Sequence, residues 1–308
     1  MSLKGTDLVA IKGIERRDVE QILDASAMML DYLQKGEVPE MLRGKIMASL
    51  FFEPSTRTQL SFTTAMQRLG GQVMGFSGTG GTSVKKGETL EDTVRMADCY
   101  ADVIVQRHPE PGSAARAAAA AARPVISGGD GSNEHPTQAL LDLFTMRREK
   151  GLDGITVALC GDLRYGRTVH SLIRLLGMFG IKIILSSPEP LKMPAEIVSE
   201  VRETWNAEVT ETGDLAEAAA AADVLYATRV QRERFEDPAA YEKVAGSYIV
   251  NNALLDAARP GIIVMHPLPR VDEIAVEVDS RPEARYFQQA AMGVPVRMAI
   301  LALLLGAA

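Results

Sequence analysis

The chain has 308 residues, of which 46% are hydrophobic, and its formal net charge is −7 at pH 7. This length and composition suit about two globular domains. The acidic balance argues against a general nucleic-acid or anionic-membrane binder. No apolar run reaches the ~20 residues of a membrane span, and the N-terminus lacks the apolar segment of a secretion signal. We therefore expect a cytoplasmic protein that binds neither nucleic acids nor membranes.

Cysteine and histidine usage narrows the chemistry further. The two cysteines are Cys99 and Cys160, and the second lies in the apolar run ITVALC. A disulfide framework is excluded, and a buried thiol is the default interpretation of each cysteine. No cluster of cysteines and histidines has the spacing of metal ligands. We expect neither a metal nor a cofactor.

The first strong pattern is a strand-to-helix turn. After a core-facing helix at residues 16–34, the apolar run IMASLFF (46–52) predicts a buried strand, and a helical period follows it up to two glycines. Between strand and helix stand Ser55-Thr56-Arg57-Thr58. Free backbone N–H groups and the helix dipole favour a phosphate group there, and the Arg57 fork matches phosphate oxygens. An ordinary Ser/Thr helix cap with a solvated arginine stays open as the alternative.

A segment rich in Gly, Ser and Thr follows the next strand, at residues 77–88, and contains Lys85 and Lys86. It has no apolar period, which predicts a mobile loop. Such a loop is either a solvated surface segment or a lid that delivers a cation to an anionic ligand.

Polar side chains also follow the later strands of this half. The strand at 102–109 carries Arg107 and His108 at its carboxyl end, where open α/β sheets bind ligands. A glycine-rich loop then leads into a helix that begins at His135, and Gln138 shares its face. A capping or packed histidine is the alternative interpretation.

The second half restarts the βα pattern with a motif similar to a nucleotide-binding loop. GDLRYGRT (161–168) lies between a predicted strand and a predicted helix and is one residue from a P-loop. Arg167 replaces the P-loop lysine, and the later strand at 224–228 leads into Arg229 instead of a magnesium-binding acid. A P-loop-like nucleotide binder is therefore disfavoured but stays open.

The last informative strand, at 261–265, ends in His266-Pro267-Leu268-Pro269-Arg270. Two prolines at a strand end leave backbone carbonyls without ladder partners, and these suit an NH₂ donor. Residues 287–305 predict a closing apolar helix.

Three of these motifs together resemble the aspartate/ornithine carbamoyltransferase family over nearly the whole chain. They are Glu53-Pro54-Ser55-Thr56-Arg57-Thr58, His135-Pro136-Thr137-Gln138 and His266-Pro267-Leu268-Pro269. Ornithine-specific members typically have His-Cys-Leu-Pro at the third motif, so Pro267 makes the chain similar to the aspartate-specific members. Gln59 and Thr63 depart from the family, which commonly has Arg and Glu there, but neither is a ligand-contacting position.

The resemblance implies a fold and an activity. The fold is α/β with two domains, each a parallel sheet with helices on both faces, and a ligand cleft between them. Residues 1–134 would form the carbamoyl-phosphate-binding domain, completed by the C-terminal helix 287–308, and residues 135–286 the aspartate-binding domain. The implied reaction transfers the carbamoyl group of carbamoyl phosphate to the amine of L-aspartate, in pyrimidine biosynthesis. A carbamoyltransferase for another amine such as ornithine, and a non-catalytic relative, are the alternatives within the family.

The resemblance also assigns roles to residues. The implied catalytic residues are Arg57, Thr58, Lys86, Arg107 and His135. The implied carbamoyl-phosphate-binding residues are Ser55, Thr56, Arg57, Thr58, Ser83, Lys86, Arg107, His135, Gln138, Pro267 and Leu268. The implied aspartate-binding residues are Lys86, Arg167, Arg229, Gln231 and Leu268. In this family the loop with Ser83 and Lys86 comes from the neighbouring subunit of a homotrimer, and the bond between Leu268 and Pro269 is cis. Whether regulatory chains join that trimer is left open.

Overall fold

The structure is a computed structural model that describes residues 3–229 and 248–308. It contains two compact units. The first consists of the chain up to Phe144 together with Met292–Ala308, and the second is Thr145–Ala291. The units divide within helix α5 (Pro136–Lys150), whereas the predicted domain boundary lies before that helix, between residues 134 and 135.

The first unit is built on a four-stranded parallel sheet in the order β2-β1-β3-β4. Its strands are β1 (Ile46–Phe51), β2 (Gln72–Ser77), β3 (Val103–His108) and β4 (Val125–Asp130). Its helices are α1 (Arg16–Lys35), α2 (Thr56–Arg68), α3 (Leu90–Asp98), α4 (Ser113–Ala120), the first part of α5, and α11 (Gly293–Leu304). The chain leaves β1 toward one edge and β3 toward the other. The crevice of this sheet therefore lies at the carboxyl ends of β1 and β3.

Residues 77–88 were predicted to be a loop without regular structure, and the structure corrects this in part. Ser83–Lys86 form a 3₁₀ turn after β2. Val84 is half-buried and packs against the apolar cluster that contains Leu90 and Val94. One apolar side chain therefore gives the turn a packed anchor that the composition of the loop does not suggest.

The second unit is built on a five-stranded parallel sheet in the order β7-β6-β5-β8-β9. Its strands are β5 (Thr156–Cys160), β6 (Lys182–Ser186), β7 (Val209–Thr212), β8 (Val224–Ala227) and β9 (Ile263–Met265). Its described helices are the end of α5, α6 (Arg167–Met178), α7 (Ala195–Trp205), α8 (Leu215–Ala221), α9 (Asn252–Ala257) and α10 (Tyr286–Ala291). Here the strand order reverses between β5 and β8. Two parallel sheets flanked by helices confirm the predicted fold class.

The closing apolar segment departs from the prediction that no apolar run reaches the length of a membrane span. Tyr286–Leu304 is 19 residues long with a mean hydropathy of 1.4, so its length and composition alone would allow a membrane span. However, 67% of this window is buried inside the protein. Its second part, α11, packs against α1 and α2. Burial of this kind is what a core helix shows, and the apolar side chains are explained by that packing.

Candidate active site

The predicted phosphate site lies at the carboxyl edge of the first sheet. Phe51 of β1 is in register with Arg107 of β3, and the Phe52 N–H donates to the Arg107 carbonyl at 2.9 Å. Ser55 is the N-cap of α2, and Arg57 and Thr58 lie in the first turn of that helix. The pairing of β1 with β3 therefore brings the Ser55–Thr58 turn and Arg107 to one place.

The ordinary-cap interpretation of Ser55 fits this geometry poorly. Ser55 has extended backbone angles, as an N-cap should, but its side chain accepts no capping hydrogen bond from the described residues. In α3, by contrast, the side chain of the N-cap residue Thr89 accepts from the Asp92 N–H at 3.1 Å. The hydroxyl of Ser55 thus leaves the first N–H groups of α2 to another acceptor, as an anion site requires.

Arg107 is held from two sides. Its Nη2 lies 2.6 Å from Glu53 Oε1, and its Nη1 donates to the Gly128 carbonyl at 3.1 Å. The Arg107 side chain is only 12% exposed, so these partners fix the direction of the guanidinium. No role for Glu53 was predicted from the sequence. Glu53 lies two residues before Ser55, just after a buried strand, and this position was the signal in the sequence for a role at the site.

The two motifs of the first unit meet at Thr58 and His135. Thr58 Oγ1 lies 3.4 Å from His135 Nε2, and both side chains are buried. Gln138, in the first turn of α5, donates through Nε2 to Asp142 Oδ1 at 2.9 Å. An ionised carboxylate only accepts, so Asp142 engages the amide nitrogen and leaves the Gln138 oxygen as the acceptor for a ligand NH₂ group. Asp142 lies four residues after Gln138, on the same helix face, and this spacing was the signal for it in the sequence.

Ser83 and Lys86 are placed differently. Both side chains are exposed on the 3₁₀ turn after β2. In the described part of this single chain, neither joins the hydrogen-bonded group around Arg107 and His135. This placement is compatible with a loop that serves another copy of the chain.

The predicted carboxylate-binding arginines follow neighbouring strands of the second sheet. Arg167 is the first residue of α6, after β5, and Arg229 follows β8. Thr228 Oγ1 donates to the carbonyls of Cys160 at 2.8 Å and Asp162 at 3.2 Å, which joins the two strand ends. The third predicted residue of this group, Gln231, lies outside the described residues.

A glycine makes this junction possible. Gly161 has φ +100°, and a Cβ built on it would lie 2.4 Å from the Thr228 carbonyl oxygen. Any larger residue would force the end of β5 away from the end of β8. The first glycine of the P-loop-like motif is therefore explained by strand packing.

The remainder of that motif is unsuited to a phosphate. Asp162 Oδ1 accepts from the N–H groups of Arg164 at 3.1 Å and Tyr165 at 2.9 Å. A P-loop presents such N–H groups to the nucleotide phosphates. Here the carboxylate of the loop itself already engages them, and its negative charge would repel a phosphate.

We therefore expect Mg·ATP not to bind at residues 161–168. Isothermal calorimetry with Mg·ATP should give no binding heat at micromolar protein, whereas an authentic P-loop ATPase run alongside should. Magnesium-dependent micromolar binding that Arg167→Ala abolishes would restore the nucleotide-binding interpretation.

The third motif follows β9 at the edge of the same sheet. The bond between Leu268 and Pro269 is cis, as the resemblance implied. Pro267 and Leu268 are half-buried, and their carbonyls lie at the carboxyl end of β9. Three predicted binding segments of the second unit thus follow the adjacent strands β5, β8 and β9. They are residues 161–168, Arg229 and residues 266–270.

Comparisons with known proteins agree with this arrangement. Residues 6–148 match the aspartate/ornithine carbamoyltransferase carbamoyl-P binding domain, and residues 153–304 match the Asp/Orn binding domain of the same family. The chain is 53% identical over 307 residues to the aspartate carbamoyltransferase catalytic subunit of Thermococcus onnurineus, with 99% of each chain covered.

Two solved structures of Trypanosoma cruzi aspartate transcarbamoylase are also similar. One is a complex with carbamoyl phosphate and aspartate, with a TM-score of 0.93, 43% identity and 98% of each chain covered. The other is a complex with N-(phosphonacetyl)-L-aspartic acid, with a TM-score of 0.93, 42% identity, and coverage of 98% of this chain and 97% of that one. Both domain models, the catalytic-subunit relative and the strand-end motifs lead to one conclusion: this chain belongs to the aspartate/ornithine carbamoyltransferase family.

Proposed function

We propose that this enzyme transfers the carbamoyl group of carbamoyl phosphate to the amine of L-aspartate, giving N-carbamoyl-L-aspartate and phosphate. The observation that carries the choice of aspartate is the pair of arginines, Arg167 and Arg229, after the adjacent strands β5 and β8. Two cations at neighbouring strand ends suit a substrate with two carboxylates and repel the side-chain ammonium of ornithine. The T. cruzi relative that binds both carbamoyl phosphate and aspartate supports the same choice.

The first unit would bind carbamoyl phosphate. The turn at Ser55, Thr56, Arg57 and Thr58, together with Arg107, supplies donors for the phosphate oxygens. Ser83 and Lys86 would complete this set from a neighbouring copy. Thr58, Arg107 and His135 would polarise the carbamoyl carbonyl and stabilise the oxyanion of the tetrahedral intermediate. The proximity of Thr58 Oγ1 to His135 Nε2, at 3.4 Å, supports a shared ligand atom between them.

The carbamoyl amide and the aspartate would be oriented by separate groups. The Gln138 oxygen and the carbonyls of Pro267 and Leu268 would accept from the carbamoyl NH₂. Arg167, Arg229 and Gln231, with Lys86 and the Leu268 carbonyl, would hold the aspartate. Much of the rate enhancement would then come from orienting the two substrates for attack.

The chemical step needs no covalent enzyme intermediate. The neutral amine of aspartate attacks the carbamoyl carbon with its lone pair and forms the new C–N bond. The carbon–oxygen bond to phosphate then breaks, and the phosphate leaves with that electron pair. The leaving phosphate is also the proton acceptor for the attacking amine, because no assigned side chain is an obvious base. In the cell, we propose a cytoplasmic homotrimer that works in pyrimidine biosynthesis.

The choice of acceptor is tested by supplying carbamoyl phosphate with either aspartate or ornithine and measuring the carbamoylated product. We expect product with aspartate and none above background with ornithine. Faster turnover of ornithine would instead place the chain among the ornithine-specific members.

A matched pair of variants tests the carboxylate assignment. Arg167→Met should raise the KM for aspartate, because it removes a bidentate partner of a carboxylate. Arg164→Met serves as the control, since Arg164 lies three residues before Arg167 but is exposed, and its Nη1 donates to the Pro190 carbonyl at 3.3 Å. Equal effects of the two substitutions would contradict the assignment.

A further inference from the structure

The turn after β9 contains a buried histidine to which the mechanism assigns no role. His266 is 2% exposed, and its Nδ1 accepts from the Leu268 N–H at 2.8 Å. Its own backbone N–H donates to Gln289 Oε1 at 2.7 Å. The imidazole therefore binds the backbone of its own turn, at the residue two positions further along the chain.

The contacts of the two ring nitrogens identify the tautomer of His266. A nitrogen that accepts a hydrogen bond carries no proton, so a neutral His266 has its proton on Nε2. Nε2 lies 2.7 Å from Glu273 Oε1, and this carboxylate is 4% exposed. The other carboxylate oxygen, Oε2, accepts from the N–H groups of Val271 at 3.1 Å and Asp272 at 3.2 Å.

The charge state of Glu273 agrees with this assignment. Burial acts to raise the pKa of the Glu273 carboxyl, but the close contact with His266 and the hydrogen bonds from backbone N–H groups outweigh burial and hold that pKa below its usual value. An ionised carboxylate can only accept, so the 2.7 Å contact with Oε1 suits a ring whose proton is on Nε2.

Locking the Leu268 N–H also determines where a carbonyl points. The bond between Pro267 and Leu268 is a trans peptide, because the cis bond of this turn is the next one. In a planar trans peptide the C=O is directed opposite to the N–H. The hydrogen bond from Leu268 to His266 therefore fixes the direction of the Pro267 carbonyl.

The backbone of this turn needs such a restraint. Leu268 has φ +54°, in the left-handed region that residues with a side chain rarely adopt. Without the bond to Nδ1, this residue would be free to relax toward a more common conformation and to rotate both adjacent carbonyls.

We propose that His266 is a positioning residue: held as its Nε2–H tautomer by Glu273, it locks the Leu268 N–H and aims the Pro267 carbonyl at the carbamoyl NH₂ group. This inference rests on the proposed carbamoyl transfer, and it assigns His266 no contact with substrate. Glu273 is the partner that orients the ring, and Gln289 anchors the backbone at the start of the turn.

Two substitutions separate the functions of the two ring nitrogens. In His266→Asn, the Oδ1 atom takes the place of Nδ1 and can still accept from Leu268. In His266→Gln, the amide nitrogen takes the place of Nε2 and can still donate to Glu273, but no atom accepts from Leu268. We expect His266→Gln to lower kcat by about 10²-fold, because the Pro267 carbonyl would no longer be held in its orientation toward the carbamoyl NH₂ group. His266→Asn should stay within a few-fold of wild type.

Thermal melts of both variants report on folding, and the ranking of their kcat values decides the proposal. Equal losses in the two variants, or a larger loss in His266→Asn, would show that the imidazole only fills space and would overturn the proposal.

A second measurement does not depend on activity. Selective ¹⁵N labelling of the four histidines gives an imidazole spectrum in which the signals of His266 are those missing from His266→Asn. We expect wild-type His266 to show a protonated Nε2 and an unprotonated Nδ1, as the hydrogen bond from the Leu268 N–H requires. A protonated Nδ1 would overturn the proposal even if the enzyme carbamoylates aspartate. Conversely, an inactive wild type with the expected tautomer would refute the proposed function and leave the hydrogen-bond assignment standing.

Discussion

Arg57→Ala is expected to lower kcat by roughly 10²–10³-fold, as loss of one preorganised oxyanion donor does, while the fold stays intact. Arg57 is exposed in the first turn of α2, at the positive end of the helix dipole, beside N–H groups that Ser55 leaves uncapped. Its side chain therefore adds charge to an anion site without contributing to the core. Steady-state kinetics with saturating aspartate and varied carbamoyl phosphate would measure both kcat and KM.

The matched control is Arg68→Ala. Arg68 is exposed in the last turn of the same helix, so this variant removes the same charge from the same element at its other end. We expect its kcat to remain near that of wild type, and both variants should melt near the wild-type temperature. Activity of Arg57→Ala within a few-fold of wild type would mean that Arg57 is only a solvated residue at a helix start.

Mixed trimers of Arg57→Ala and Lys86→Ala chains are expected to regain activity that neither variant has alone. In a cyclic trimer every interface is the same head-to-tail contact, so each site would combine Arg57 of one chain with Lys86 of the next. The exposed position of Lys86, on a turn apart from the Arg107 group, supports this arrangement. Random reassembly of equal amounts should restore about a quarter of wild-type sites, because each mixed ring has one intact combination.

Lys85→Ala provides the control for this experiment. Lys85 is the exposed neighbour of Lys86 in the same 3₁₀ turn, and its loss should leave activity largely unchanged. Dissociation and reassembly would be followed by native mass spectrometry to verify that mixed rings form. Verified mixed rings without regained activity would place Lys86 in the site of its own chain or outside catalysis.

Local patterns in the sequence identified most of the elements and the positions of the motifs. The run 46–52, the polar turn after it and the helical period beyond are each encoded within a few residues, because burial period and helix-start chemistry are local properties. The observed β1 (Ile46–Phe51) and α2 (Thr56–Arg68) follow that prediction closely. The cis bond before Pro269 was likewise available from the resemblance of its motif.

Local patterns were less informative where tertiary packing determines the secondary structure. The 3₁₀ turn at Ser83–Lys86 depends on the burial of one valine in a neighbouring cluster. The closing segment was predicted to be one helix, whereas the structure divides it into α10 (Tyr286–Ala291) and α11 (Gly293–Leu304), which belong to different units. A hydrophobic pattern reports that side chains are buried but not against which partner.

The partners of the site residues were decided only by the tertiary structure. Arg107 meets Glu53 because β3 pairs with β1, although the two residues are far apart in the chain. Thr58 meets His135 for the same kind of reason, since the turns after parallel strands converge at one sheet edge. Strand order is set by long-range packing, and no local period in the sequence encodes it. The sequence by itself therefore determined which residues stand at strand ends, and the order of the strands determined which of them act together.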